Sequence, residues 1–188
     1  MGIRDDLYDL GVKLVTELNE KNKITPVRIR KVTSGRNYGW YDHGDIYINL
    51  PKTRPPTSVP GFSWTYPGYK ADLTAYGVIA HENGHHVYAS IYGRIDKKKW
   101  REILASEPKV TSYEPNMSEA FAESMKVFST NPDLLSNGRP LRYLFLTGEL
   151  GLEPVITEDW RNVLSEAHEK FIFAAEAWIR KGLLDEAD

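Results

Sequence analysis

The segment from Lys70 to Tyr92 constrains the fold of this chain more than any other. Its apolar residues recur with helical spacing around the sequence His81-Glu82-Asn83-Gly84-His85. His81 and His85 are four residues apart, so a helix places both imidazoles on one face, close enough to bind a single ion. Burying such groups among apolar neighbours is costly unless they are compensated. The pattern therefore predicts one long helix that carries a metal site.

Glu82 follows His81 by one residue, which turns it about 100° around the helix. It can flank an ion bound by the two histidines without ligating it, which is where a general base for metal-activated water must lie. The alternative is a partly exposed helix with solvated histidines. The chain has no cysteine, so any ion must be bound by histidine or carboxylate groups. The expected cofactor is Zn²⁺, one ion per chain.

A catalytic zinc takes three protein ligands and keeps one position open, so a third ligand must come from elsewhere in the chain. The best candidates are Glu119 and Glu123, one turn apart on the same face of a predicted downstream helix. Asn116 and Glu119 can instead form a capping box, which would leave Glu123 to bind the metal. Helical spacing alone does not separate the two carboxylates. His86 is turned about 100° from its neighbour His85 and is a poor ligand.

The whole chain predicts an α+β fold, with a small, mostly antiparallel sheet packed on the metal-binding helix and a helical C-terminal half. Periodicity and turn residues predict, in chain order, a helix over 3–20, a strand over 26–32, a hairpin over 40–50, helices over 96–107 and 116–128, short helical pieces near 133–135 and 139–146, and a helix capped by Thr157.

Two predicted segments bear on substrate binding. The strand over 45–50 comes before the metal-binding helix, and we expect it to pair with an extended substrate if it borders the cleft. Five prolines between 51 and 67 exclude regular structure there, and this segment is expected to form a lid over the core or a wall of the cleft. His43, in the hairpin turn, and His168, in the last helix, are expected at the surface.

Length and charge exclude several classes of protein. The 188 residues fit one domain over 1–188. Lys and Arg number 24 against 26 Asp and Glu, and this net charge of -2 does not favour a nucleic-acid partner. A membrane-spanning helix needs about 18 consecutive apolar residues, and no segment of the sequence is that apolar. The first residues also lack the apolar run of a signal peptide. A cytoplasmic location without a membrane partner is therefore the default, although secretion by a dedicated machine or association with a phage particle would leave no such mark.

The motifs together resemble one family of enzymes. The order His81-Glu82-x-x-His85, then Thr111-Ser112-Tyr113, then Glu119-Ala120-Phe121-Ala122-Glu123 is similar to that of the HExxH zinc metallopeptidases (gluzincins) of the anthrax lethal factor and Pro-Pro endopeptidase group. The resemblance extends over about residues 70–130 and implies a zincin-like fold. It further implies that Glu119 is the third zinc ligand, that Glu123 supports the site from behind, and that Tyr113 is an active-site tyrosine.

The expectation that follows is a single metallopeptidase domain, a zinc-dependent endopeptidase that acts on a protein or peptide. Glu82 would be the general base, and Tyr113 would donate a hydrogen bond to the developing oxyanion. One alternative is a highly specific regulatory or toxin-like peptidase that cuts one partner protein. The other is a non-catalytic, zinc-stabilised binding domain. Glu82 favours catalysis, because a structural zinc site needs no base and usually takes four protein ligands.

Overall fold

The computed structural model describes residues 2–54 and 71–180, with the backbone alone at residues 168 and 171–180. Its elements are, in chain order, α1 (Ile3–Lys21), β1 (Arg28–Val32), β2 (Gly39–Asp42), β3 (Asp45–Asn49), α2 (Ala75–Ser90), α3 (Lys97–Ser106), α4 (Met117–Thr130), α5 (Pro132–Gly138), α6 (Pro140–Leu144) and α7 (Glu158–Arg180). Short 3₁₀ segments occupy Leu50–Lys52 and Tyr92–Arg94, and a π-helical turn, Phe145–Glu149, continues α6. The predicted α+β class and the predominantly helical C-terminal half are confirmed.

The metal-motif helix α2 lies at the centre of the molecule, between α1, α4 and the sheet. The predicted apolar stripe of α1 packs against it, with Leu7, Leu14 and Leu18 buried. A helix enclosed on several sides must carry, around most of its circumference, either apolar side chains or polar side chains with hydrogen-bond partners. Consistent with this, the buried side chains of α2 include both apolar groups and the polar groups Glu82, Asn83 and His86.

The helix α2 begins five residues later than its periodicity predicts, because a local turn precedes it. The Thr74 hydroxyl oxygen accepts a hydrogen bond from the Gly77 N–H (3.2 Å) and so caps the first turn. Oδ1 of Asp72 accepts hydrogen bonds from the N–H (2.9 Å) and the hydroxyl (2.7 Å) of Thr74. These bonds hold the chain in a side-chain-stabilised turn just before the helix.

The predicted hairpin is confirmed, with β2 and β3 antiparallel and joined by a two-residue turn. The turn residues His43 and Gly44 have φ values of 45° and 89°, as a type I′ turn requires. The His43 side chain is 97% exposed, which confirms its predicted surface position. On the inner face of the hairpin, Ile46 and Ile48 are fully buried.

The sheet is mixed, and the prediction of a mostly antiparallel sheet is wrong. The strand order is β1-β3-β2, and β1 pairs with β3 in parallel from Arg28 opposite Asp45 to Val32 opposite Asn49. The hairpin turn makes β2 and β3 antiparallel, and β1 runs in the same direction as β3, so the sheet has one parallel and one antiparallel pair. Strand periodicity carries no information about which of two neighbours occupies the centre.

This strand order also contradicts the prediction that strand 45–50 pairs with a substrate. That strand, β3, has β1 on one side and β2 on the other, so both of its hydrogen-bonding edges are occupied. Strand addition requires a free edge. Among the described strands only β1 and β2 lie at an edge of the sheet.

The C-terminal half completes the core around α4. α5 and the α6 region pack beside it, and Phe145, Leu146, Leu150 and Leu152 are buried in the core cluster. None of the helices in residues 2–54 and 71–180 is long and apolar enough to cross a bilayer. Most of the proline-rich segment, the proposed lid or cleft wall, lies outside the described residues, as does the side chain of His168. The single domain over 1–188 therefore stays a prediction.

Candidate metal centre

Two residues of the motif helix that lie beside the histidine pair attach α2 to its neighbours. Asn83 forms a reciprocal amide pair with Asn19 of α1, with N–H···O distances of 2.8 and 3.0 Å. His86 is buried, its Nε2 donates to the Thr25 carbonyl (2.6 Å), and its Nδ1 lies 3.1 Å from the Tyr41 hydroxyl. Both nitrogens of His86 are therefore engaged on the sheet side, in agreement with its prediction as a poor ligand.

Gly84 allows α4 to approach α2 with backbone against backbone. A Cβ placed on Gly84 would lie 2.7 Å from the Ala122 Cα and 2.8 Å from the Ala122 carbonyl oxygen. Side chains with a Cβ essentially never approach that closely, so only glycine fits here. The close approach places the two glutamates of α4, Glu119 and Glu123, beside the histidines of α2.

Three candidate ligand atoms converge where α2 faces α4. Oε2 of Glu119 lies 2.9 Å from Nε2 of His81 and 3.2 Å from Nε2 of His85. The two imidazole centroids are 5.0 Å apart with their planes nearly perpendicular. One ligand atom from each residue falls within 4.8 Å of the others, so the group could hold a metal ion. These side chains keep 12–20% exposure, so solvent or a substrate can reach the cluster.

Glu119 and Glu123, between which helical spacing does not choose, contact different nitrogens of the histidines. Glu119 faces the Nε2 atoms that the two histidines share. Oε2 of Glu123 lies 2.7 Å from the opposite ring nitrogen of His81, Nδ1. The capping alternative is also partly right, because Oδ1 of Asn116 accepts a hydrogen bond from the Glu119 N–H (2.9 Å). The backbone of Glu119 is thus capped while its carboxylate remains in the cluster.

The two carboxylates beside His81 favour a positive charge on its ring. Burial alone lowers the pKa of His81, but hydrogen bonds to Glu119 and Glu123 outweigh burial and raise that pKa to about 9. Burial would raise the pKa of both carboxyls, yet His81 and His85 hold the pKa of Glu119 at about 2, and Lys126 and His81 hold that of Glu123 at about 2. The raised pKa means that the His81 ring is protonated at neutral pH. A metal ion bound at a ring nitrogen would replace the proton there.

Glu82 lies next to this cluster and is almost completely buried. Burial raises the pKa of its carboxyl, and the nearby His81 and His85 partly oppose that rise. A carboxyl that is poorly solvated and held beside a cationic site has the properties of a general base.

Tyr113, the predicted active-site tyrosine, lies beside His81 and is partly exposed. Its side chain is 47% exposed, and its ring centroid is 5.8 Å from that of His81. Partial burial and the negative charge of Glu119 raise the pKa of the Tyr113 hydroxyl, which keeps it a hydrogen-bond donor at neutral pH.

The loop that carries Tyr113 is attached by buried polar contacts on both sides of that residue. The Tyr113 N–H donates to the Thr111 hydroxyl (3.2 Å), which itself donates to Oε1 of Glu123 (2.5 Å). Glu114 forms a two-pronged ion pair with Arg142 of α6, at 2.7 and 3.1 Å. Arg142 is only 1% exposed, so this pair is shielded from water.

Sequence reasoning missed three of the groups that support the cluster, Lys126, Arg142 and Glu114. Lys126 lies three residues after Glu123, which is the spacing of a helical ion pair, so a signal for it was available. Arg142 and Glu114 are 28 residues apart and lie in different elements, and no local pattern connects them.

Comparisons with protein-family models, with curated proteins and with solved structures find no match to this chain.

Proposed function

We propose that this chain is a zinc-dependent endopeptidase with a zincin-like fold. The observation that carries the proposal is the convergence of His81, His85 and Glu119 at a solvent-accessible point, with Glu82 buried beside them. Two imidazoles and one carboxylate are the ligand set of many catalytic zinc sites, and accessibility to solvent is what an open fourth position requires. The resemblance of the motifs to the lethal factor and Pro-Pro endopeptidase group supports the same conclusion.

Zinc, when bound, would supply Lewis acidity, polarising the scissile carbonyl and lowering the pKa of water towards about 7. Glu82 accepts a proton from the attacking water as the new C–O bond forms, and it then passes that proton to the amine nitrogen as the peptide C–N bond breaks. Tyr113 donates a hydrogen bond to the carbonyl oxygen as negative charge develops on it. Glu123 accepts the Nδ1–H of His81 and thereby directs its Nε2 towards the ligand cluster.

Metal content tests the ligand assignment. Purified wild type, Glu119→Ala and Glu123→Ala would be analysed by inductively coupled plasma mass spectrometry, with Glu102→Ala on the exposed face of α3 as a matched control. We expect one zinc per chain in wild type and control, loss of zinc in Glu119→Ala, and weakened retention in Glu123→Ala. Wild type that binds no zinc, even after zinc is added, contradicts the proposal.

Hydrolysis tests the role of Glu82 and separates catalysis from a structural zinc site. Wild type and Glu82→Gln, both zinc-loaded, would be incubated with a proteome-derived peptide library and, separately, with intact proteome proteins, and the new termini would be identified by mass spectrometry. We expect cleavage by wild type and a loss of about 10³-fold or more in Glu82→Gln with zinc retained. Equal cleavage by the two proteins removes Glu82 as the base. Cleavage of one protein but of no peptide favours the narrowly specific regulatory peptidase.

A further inference from the structure

Lys126 is a buried cation directly behind the candidate metal centre. Its side chain is 1% exposed, and its Nζ lies 2.9 Å from Oε1 of Glu123, whose side chain is also 1% exposed. Withdrawing an ammonium group from water is unfavourable unless its charge is compensated. Lys126 lies one turn from Glu123, which contacts the candidate ligand His81. We therefore look for the reason for its burial in the metal centre.

The contacts of Glu123 divide cleanly between its two oxygens. Oε2 accepts the Nδ1–H of His81 (2.7 Å). Oε1 accepts the hydroxyl of Thr111 (2.5 Å) and the ammonium of Lys126 (2.9 Å). Two donors on one oxygen fix the rotation of the carboxylate, so the other oxygen is held towards His81. The direction of the His81 ring, and with it the position of Nε2, depends on this arrangement.

Lys126 also balances charge in an acidic region of the interior. Glu82, Glu119 and Glu123 all lie near the cluster, and their charges act on His81 or on one another. A further acid, Asp72, precedes α2; burial raises the pKa of Asp72 to about 7, and the charge of Lys126 opposes that rise. Lys126 is thus the cation that offsets the buried carboxylate behind His81.

We propose that Lys126 is a positioning residue for the metal centre, which orients the Glu123 carboxylate and balances its charge so that His81 presents Nε2 to the ion. This inference rests on the proposed zinc site. It predicts that Lys126 acts on the metal only through Glu123, whereas a lysine that merely stabilised the fold would act independently of Glu123.

The test is a double-mutant cycle on zinc affinity, measured on the full chain by competition with a chromophoric chelator at constant pH. The variants are Lys126→Met, Glu123→Gln and the double substitution. We expect Lys126→Met to weaken zinc binding about tenfold and Glu123→Gln to weaken it about 10- to 100-fold, as for other outer partners of metal ligands. The double variant should bind zinc no more weakly than Glu123→Gln alone.

Two further variants keep the test decisive. Lys99→Met removes an exposed lysine that pairs with Glu149 at the surface, and it should leave zinc affinity unchanged. Lys126→Gln removes the positive charge at the same position but keeps a polar side chain; it should weaken zinc binding several-fold and provides the result if Lys126→Met does not fold.

The outcomes separate this inference from the proposed function. Wild-type zinc affinity in Lys126→Met, or losses that simply add in the double variant, overturns the role of Lys126 while leaving the zinc site intact. If Lys126→Met does not fold, wild-type affinity in Lys126→Gln overturns it. Wild type that binds no zinc overturns both proposals.

Discussion

The close contact between α2 and α4 makes Gly84→Ala the most informative single substitution in this chain. The added methyl group would meet three backbone atoms of Ala122, at 2.7, 2.8 and 3.1 Å. Ordinary van der Waals contact begins near 3.4 Å, so α4 must move by about 0.7 Å to admit the methyl. Backbone atoms cannot rotate away as a side chain does, so the helices themselves must separate.

The expected magnitude is a balance of two effects. Overpacking of this kind costs about 1–3 kcal/mol, and rigid backbone neighbours place Gly84→Ala near the upper end. Replacing a mid-helix glycine by alanine returns about 1 kcal/mol through helix propensity. We therefore expect a net loss of about 2 kcal/mol in the free energy of unfolding. The same displacement lengthens the 2.9 and 3.2 Å contacts of Glu119 with the histidines, and zinc affinity should fall by about tenfold or more.

The assay is urea denaturation of the metal-free protein, followed by chelator competition for zinc. Gly148→Ala is the matched control, because a Cβ there meets nothing within 4 Å. The control should be neutral or slightly stabilised and should bind zinc normally. Wild-type stability together with wild-type zinc affinity in Gly84→Ala would refute the reasoning that this glycine sets the distance between the two helices.

Two other perturbations follow from the buried charges. Arg142→Met leaves the Glu114 carboxylate buried without its ion-pair partner and should lower the free energy of unfolding by about 3–5 kcal/mol, measured by urea denaturation. The control Arg161→Met breaks an exposed pair with Asp133 and should cost less than about 1 kcal/mol. Similar losses in the two variants would contradict this account. The free energy of unfolding of the metal-free protein should fall by about 3 kcal/mol between pH 6.5 and 9. The pKa of His81 is about 6.5 in the unfolded chain and about 9 in the folded one. The stabilisation is therefore complete below about pH 6.5 and is lost as the pH rises through about 9. A flat profile in urea denaturation at stepped pH would contradict it, and zinc-loaded protein should not show this loss because the ion replaces the proton.

Local sequence patterns were sufficient to predict the helices and strands that bury one continuous face. The apolar stripe over 3–20 and the turn residues of the hairpin over 40–50 each predicted the correct element, and residues of the stripe such as Leu14 are buried. The spacing of His81 and His85 correctly predicted two imidazoles on one face of α2, since that depends on helix geometry alone.

Features that depend on the relative position of two elements could not be derived in the same way. Glu119 and Glu123 share a helical face, and only the height of α4 along α2 determines which of them meets Nε2 of His81. The central position of β3 likewise depends on how the hairpin docks beside β1. The pairing of Arg142 with Glu114 is set by packing between α6 and the preceding loop, for which a single sequence carries no periodic signal.

The separation of the interacting residues along the chain has a consequence for biosynthesis. His85 and Glu119 are 34 residues apart, and Glu114 is secured by Arg142, a further 28 residues beyond it. A nascent chain that has reached residue 110 offers two histidines without their carboxylate partner. At the proposed zinc site, tight capture of the ion would therefore wait until α4 docks on α2, and fixation of the tyrosine loop would wait for α6. A zinc ion bound at the proposed site would then mark a chain whose folding is nearly complete, and it would not act as the nucleus from which folding starts.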